Sequence, residues 1–304
     1  MKPPNTQLSK LVDMDNPQHV YDEVKTIVSM MFSEFDFKPV DRVFEDTLRL
    51  FRGKYPGYQE CITGYHDLKH TTDAMLAAIR LIHGASIRDE TISQEGVTLT
   101  IISSLLHDTG YILTLEDDSR SGGKYTLVHI DRSIDFMENY LEKNNFSKEI
   151  FYDCRDVLRC TGFRTEISQI QFNSPETELF GKIMGTADLL GQMADRTYLE
   201  KLPFLYHEFK EAKIESYSSV MDVFEKTPDF YVETRKRFDE ELGGVNRFAI
   251  DHFKNRWNID SDLYADAIEK NIVYLKYILK NRDKSLRSLL RRGGYLKFLG
   301  GKKL

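Results

Sequence analysis

Hydrophobic side chains recur along this chain with helical spacing, and stretches that alternate as β-strands do are scarce. Apolar residues three and four positions apart share one face of a helix and point it toward a core. Within the longest such stretch, Pro203 should kink or restart the helix. The pattern predicts an all-α protein with helices over residues 19–35, from 39 onward, 66–84, 99–106, 128–141, from 175 past 203, 218–243 and 262–281.

The same pattern favours one helical unit over two independent domains, because no Pro- or Ser-rich tether interrupts it. We expect N-terminal helices (1–58) packed on a central core (59–210), then a C-terminal helical extension (211–281) and a basic tail (282–304). The tail holds eight Lys and Arg residues against one Asp, in a chain of net charge −6. This charge asymmetry predicts contact with an anionic surface or partner.

Candidate chemistry begins with two histidines spaced four residues apart, His66 and His70. On a helix these two imidazoles would share one face, with Asp73 a further turn along the same stripe. One helix could therefore direct both histidines at a common point.

Two further segments bring nitrogen and carboxylate groups together. His107 and Asp108 end an apolar helical run, where Gly110 should stop the helix. Asp188 is a lone acid in an apolar stretch, and a buried carboxylate needs a partner. Two imidazoles and two carboxylates suit one or two divalent ions, without distinguishing Mn, Fe, Mg or Zn. Water bound to such an ion becomes a nucleophile, which favours hydrolysis of a phosphate ester.

The order His70, His107–Asp108, Asp188 resembles the HD-domain superfamily of metal-dependent phosphohydrolases, whose fold is a helical bundle. Within it, the Tyr-His-Asp segment at 65–67 is similar to the tyrosine-histidine-asparagine segment of class I cyclic-nucleotide phosphodiesterases. The Thr-Ala-Asp-Leu segment at 186–189 resembles their alanine-aspartate-leucine segment. The resemblance covers about residues 60–200.

This resemblance implies that His70, His107, Asp108 and Asp188 hold the first metal and that Asp108 bridges to a second. It also implies that His66 is the general acid. A protonated imidazole there would donate to the leaving oxygen, since histidine exchanges protons near neutral pH. The chain departs from the phosphodiesterases at Asp67, where they have asparagine, and at 109–111, where their second histidine is missing.

Other polar residues near these motifs are candidates for contacts with a second metal or with the substrate. His129 is a counterpart of a further histidine in the related HD-GYP enzymes, and Lys69 and Asp73 are placed to reach a second metal or a phosphate. Gln192 and Arg196 follow Asp188 by one to two turns, so they line the expected substrate pocket. An equally good interpretation is that these two residues belong to a surface salt-bridge network.

Two segments that resemble known motifs are not predicted to be sites. The segment starting His207–Glu208 lacks the second histidine of zinc proteases, because Glu211 occupies that position, and is interpreted as an exposed helix face. Residues 121–124 lack phosphate-loop spacing and are interpreted as a flexible loop. Arg120, just before this loop, and Lys124 within it would reach a phosphate only if the loop folds over the pocket.

Composition and charge narrow the cellular setting. A net charge of −6 argues against duplex nucleic acid as a partner, and no segment has the apolar length of a membrane span. Three cysteines without metal-finger spacing indicate reduced thiols and a cytoplasmic location, with Cys154 and Cys160 in the core.

The function predicted first is hydrolysis of a phosphomonoester or phosphodiester of a nucleotide-like small molecule. Two alternatives stay open at this point. Some HD-domain proteins are di-iron oxygenases, and others could keep a metal site only for ligand sensing. Fold-level resemblance does not choose among them.

Overall fold

The computed structural model describes residues 6–119, 121–290 and 292, and throughout these residues the regular elements are helical. This confirms the all-α prediction. Four short 3₁₀ turns lie between the helices, at Thr109–Tyr111, Gly122–Tyr125, Ile167–Gln169 and Val245–Arg247. The α-helices are α1 (Leu8–Leu11), α2 (Pro17–Met31), α3 (Lys38–Phe51), α4 (Leu68–Ile87), α5 (Gln94–Leu106), α6 (His129–Lys143), α7 (Lys148–Arg159), α8 (Pro175–Ala194), α9 (Tyr198–Glu211), α10 (Val220–Glu240), α11 (Phe248–Trp257), α12 (Leu263–Lys280) and α13 (Leu286–Leu289).

Helix α4 is the centre of the fold. It packs against α2, α5, α8 and α11, and every residue from 70 to 85 is buried. A helix enclosed on all sides is normally apolar all round, yet α4 carries several ionisable side chains. Because a buried polar group is costly unless it is paired, the neighbouring helices must supply partners for them.

Helix α8 approaches α4 closely at Gly191. A Cβ atom at this position would lie 3.0 Å from the backbone nitrogen of Ala74, tighter than most side chains tolerate. The absence of a side chain here therefore lets the two helices touch, one turn beyond Asp188.

The start of α4 differs from the sequence prediction. Asp67 is the N-cap, and its carboxylate accepts a hydrogen bond of 2.8 Å from the backbone N–H of His70. The helix therefore begins after His66, so His66 and His70 do not share a helix face as predicted. A short polar side chain that accepts from the first turn competes well with helix continuation at such a position.

The long helical stretch after Pro175 also divides at an unpredicted place. Helix α8 ends at Ala194, and α9 begins at Tyr198 with Pro203 inside it, so the predicted restart at Pro203 is wrong, while a kink there stays a prediction. The carboxylate of Asp195 accepts a hydrogen bond of 2.9 Å from the backbone N–H of Thr197, which stabilises the turn between the helices.

The structure also bears on the predictions for the cysteines, for membrane spans and for the basic tail. Cys154 and Cys160 are buried and all three cysteines are free. In the described part of the chain, the helices lack the length and apolar character required to span a bilayer. Of the basic tail, residues 291 and 293–304 lie outside the described residues; Leu289 and Leu290 are buried, and the backbone N–H of Arg292 donates to Glu200. The tail's contact with an anionic surface stays a prediction.

A second polar cluster lies on α4 toward α11. Arg80 is fully buried, donates a hydrogen bond of 3.1 Å to the hydroxyl of Tyr264 and lies 5.5 Å from the ring of Phe253. The Nδ1 atoms of His83 and His252 are 3.2 Å apart. Burial, together with the charges of Arg80, His83 and Arg256, lowers the pKa of His252 to about 2. Both imidazoles are therefore neutral in the folded protein at neutral pH.

We expect this cluster to make the protein acid-sensitive. Unfolded His252 binds a proton below about pH 6.5 while folded His252 stays neutral, so the free energy of unfolding should fall by about 2 kcal/mol between pH 7 and pH 5 from this residue alone. Urea unfolding at the two pH values should show a smaller decrease in His252→Asn than in the wild type. His19→Asn, at an exposed position, is the control and should behave as the wild type does. Equal pH dependence in wild type and His252→Asn would contradict this assignment.

Candidate metal centre

Three helices deliver four ligand atoms to one buried point. His70 comes from the first turn of α4, His107 and Asp108 directly follow α5, and Asp188 comes from α8. The Nε2 atom of His70 lies 3.3 Å from Nε2 of His107, 3.3 Å from Oδ2 of Asp108 and 3.0 Å from Oδ1 of Asp188. His107 Nε2 lies 3.3 and 3.7 Å from the same two oxygens. The four residues that the sequence singled out are thus in mutual contact.

The spacing and orientation of these atoms fit a divalent cation. Ligand atoms about 2.1 Å from a shared ion lie about 3.0 to 3.4 Å apart, close to the separations seen here. The Nδ1–H group of His107 donates a hydrogen bond of 2.8 Å to the carbonyl of Ser104, which leaves the Nε2 lone pair free for a metal. Oδ2 of Asp108 is buried without a hydrogen-bond partner among the described residues. His70, His107 and Asp108 could hold a metal ion, with Asp188 beside them.

The charges of the cluster alter its proton affinities. Burial by itself would lower the pKa of His70, but hydrogen bonds and charges from Asp108 and Asp188 outweigh burial and raise that pKa to about 9. Burial would raise the pKa of each carboxyl, but the two histidines hold the pKa of Asp108 and of Asp188 well below the usual range. A cation would take the place of the protons that the histidines hold here, so its binding would release protons.

His66 lies beside this cluster although it precedes α4. Its ring stacks on Tyr111 with centroids 4.2 Å apart, and its centroid is 6.0 Å from that of His70. Its Nδ1–H group donates a hydrogen bond of 2.6 Å to the carboxylate of Glu208, whose other oxygen accepts from the backbone N–H of Tyr65 at 2.9 Å. The imidazole is therefore fixed in orientation with its Nε2 atom free of this bond.

Glu208 is the functional residue that the sequence interpretation missed. The segment around it was expected to be an exposed helix face, but Glu208 is buried, so that expectation is wrong at this residue. Its burial could have been inferred from its position on α9. Glu208 shares a helix face with Phe204 and Leu205, both of which pack against the core. An acid on an inward-facing stripe needs a buried partner, and that partner is a histidine 142 residues away.

His129 completes a group of three aromatic rings at the edge of the cluster. It is the first residue of α6, and its ring lies 4.6 Å from Tyr111 and 6.1 Å from His66. Its Nδ1–H group donates to the carbonyl of Thr126 at 2.7 Å, and burial lowers its pKa, so its Nε2 atom carries a free lone pair. Its predicted role toward a second metal stays a prediction.

Gly110 has a different structural role from the predicted one, which was to stop the helix. It lies inside the 3₁₀ turn after Asp108 and does not end α5 as a left-handed cap, since α5 already ends at Leu106. A Cβ atom on Gly110 would lie 2.0 Å from the carbonyl oxygen of His129. Glycine therefore allows the start of α6 to approach the metal ligands.

Gln192 is placed to orient a metal ligand. Its amide donates a hydrogen bond of 2.8 Å to Oδ1 of Asp188, and its carbonyl accepts one of 3.1 Å from the hydroxyl of Tyr65. Arg196 is exposed at the end of the same region, and its backbone carbonyl accepts from Arg292. Contact of either side chain with a substrate stays a prediction.

Lys69 and Asp73 belong to a buried ion-pair network next to the cluster. The Lys69 ammonium lies 2.5 Å from the Asp73 carboxylate and 3.3 Å from that of Asp195. Lys201 joins the network through Asp67 at 2.9 Å and Asp195 at 3.7 Å. Burial raises the pKa of Asp73 to about 6 despite these lysines. Lys69 is thus neutralised by neighbouring acids, and its predicted contact with a phosphate stays a prediction.

The segment around residues 121–124 packs against α9, and its predicted flexibility stays a prediction. It forms the 3₁₀ turn Gly122–Tyr125, and the Ser121 hydroxyl donates to the carboxylate of Glu211. The Lys124 ammonium is 2.9 Å from the Asp117 carboxylate. Arg120 lies outside the described residues.

A protein-family model described as Npun_R2479-like matches residues 58–245, which include all the ligand candidates as well as His66 and Glu208. No curated protein and no solved structure matches the chain. The match spans more than half of the 304 residues. The chain therefore belongs to the Npun_R2479-like family.

Proposed function

We propose that this protein is an HD-domain, metal-dependent phosphohydrolase that cleaves a phosphomonoester or phosphodiester of a nucleotide-like small molecule. The observation that carries the proposal is the convergence of two imidazole Nε2 atoms and two carboxylates on one buried point, beside an imidazole bonded to a buried glutamate. Neutral histidines with two carboxylates also balance the charge of one divalent cation.

At such a centre, some residues of the chain would bind the cation and others would orient those ligands. A divalent cation held by His70, His107, Asp108 and Asp188 would acidify bound water and polarise a phosphoryl oxygen. The carbonyl of Ser104 fixes the ring of His107, and Gln192 fixes the carboxylate of Asp188. Partners of this kind orient ligands and increase their basicity.

His66 is the proposed general acid. The Glu208 carboxylate accepts its Nδ1–H group, which holds the ring so that Nε2 is left for the substrate; as general acid, His66 would carry its second proton on Nε2. Stacking on Tyr111 keeps the ring in place. Nε2 then donates its proton to the leaving oxygen when the phosphorus–oxygen bond breaks, which prevents the release of a high-energy alkoxide.

We expect Asp188→Ala to lose bound metal and phosphate-ester hydrolysis together. Metal content is measured by inductively coupled plasma mass spectrometry, and turnover is measured on an aryl phosphodiester and a nucleotide panel with manganese, iron or magnesium. The control Glu138→Ala removes an exposed acid from α6 and should retain both properties. Absence of metal from the wild type under every loading condition would overturn the proposal.

We expect His66→Ala to keep its metal and to lose kcat by about 10²- to 10⁴-fold on a substrate with an alkoxide leaving group. On a p-nitrophenyl ester the loss should be much smaller, because that leaving group needs no proton. Glu208→Gln should reduce kcat in the same leaving-group-dependent way, but less. Loss of metal in His66→Ala would instead make His66 a ligand, and equal losses on both esters would exclude it as the acid.

The same samples separate the two alternative functions. Retained metal without turnover of any phosphate ester would favour a sensor. Oxygen consumption by the iron-loaded protein, without phosphate release, would favour a di-iron oxygenase.

A further inference from the structure

The C-terminal half of α7 and the loop that leads toward α8 enclose a cleft away from the candidate metal centre. Its volume is about 530 Å³, within the size range of small-molecule sites. None of its lining residues belongs to the metal cluster. Guanidinium, amide and hydroxyl groups dominate the lining, from Arg155, Arg159, Arg164, Thr165, Gln169 and Gln171.

The positive charge of the cleft is only partly balanced. Its buried carboxylate, Asp156, is held by Arg155 through two hydrogen bonds of 2.9 and 3.2 Å and lies 3.6 Å from Arg159. The other acid, Glu166, accepts a hydrogen bond from the side chain of Gln169. Arg164 is exposed and forms no ion pair with a carboxylate of the described residues. Three guanidinium groups thus face two acids that are already bonded.

The loop that carries Arg164 is held in its shape by a buried arginine of another helix. Arg237 of α10 is buried, and its guanidinium donates to the backbone carbonyls of Cys160, Gly162, Phe163 and Thr165 at 2.9 to 3.3 Å. A loop held by four such bonds loses little conformational entropy when a ligand binds, so its donors are already placed.

We infer that this cleft binds a phosphate-bearing small molecule. Guanidinium groups present paired N–H donors that match phosphate oxygens, and arginine is the side chain best suited to that geometry. The volume accommodates more than a single phosphate group. This site is separate from the candidate metal centre and does not depend on the proposed hydrolase function.

The test is isothermal titration calorimetry of the full chain with methylenediphosphonate, a diphosphate analogue that resists hydrolysis, at constant ionic strength. We expect saturable binding that is weakened at least about tenfold in Arg159→Gln/Arg164→Gln, because hydrogen bonds to charged groups are strong. The matched control Arg235→Gln/Lys236→Gln removes two charges from an exposed face of α10 and should leave the affinity unchanged.

Two further variants keep the outcomes separate. Arg164→Gln alone removes a side chain without an ion pair in the described residues, so it should weaken binding while leaving the melting temperature unchanged. Asp108→Asn should retain binding, and loss of binding there would place the diphosphate at the metal centre and overturn the proposal. Absence of saturable binding, or equal weakening in the α10 control, would also overturn it.

Discussion

The cost of placing ionisable side chains inside the protein governs this structure. Helix α4 is enclosed by four neighbours, yet it carries His70, Asp73, Arg80 and His83 among its buried residues. Each of these groups would oppose folding if it were left alone in the interior. His70, Arg80 and His83 instead meet groups from other elements, and Asp73 pairs with Lys69 one turn earlier on α4 itself.

The two ends of α4 meet this constraint differently. At its first turn, carboxylates outnumber lysines, since Asp108 and Asp188 face His70 and His107, and Asp73 and Asp195 face Lys69 and Lys201. An excess of buried carboxylate favours a cation. At its last turns, Arg80 and two neutral histidines pack with aromatic rings, and the histidines stay uncharged. The first turn of α4 could therefore accept a cation, whereas its last turns already hold the Arg80 cation among aromatic rings.

The candidate ligands and the proposed general acid lie on different kinds of segment. The ligands are on or beside buried helices, and His66 is in a loop. The four candidate ligands lie on or directly after three buried helices, which hold them close to one another. His66 lies in a loop, but Tyr111 and Glu208 restrict its ring from two sides. A group that must exchange protons with a substrate can lie at such an edge, while the ligands stay enclosed. The cleft lined by α7 and the loop after it shares no residue with the candidate metal centre and adds a separate anion-attracting surface.

The sequence alone determined the helical class, and it singled out the four candidate ligands that the structure brings together, because both rest on local features. Apolar periodicity defines helices, and acids or histidines inside apolar runs must be paired. Tertiary structure decided what depends on distant partners. Asp195, directly after α8, reaches Lys69 of α4, and the burial of α9 brought Glu208 to His66. The cap at Asp67 that excludes His66 from α4 is a local contact with His70, but these two pairs join residues more than a hundred positions apart in the chain, and no local pattern contains that information.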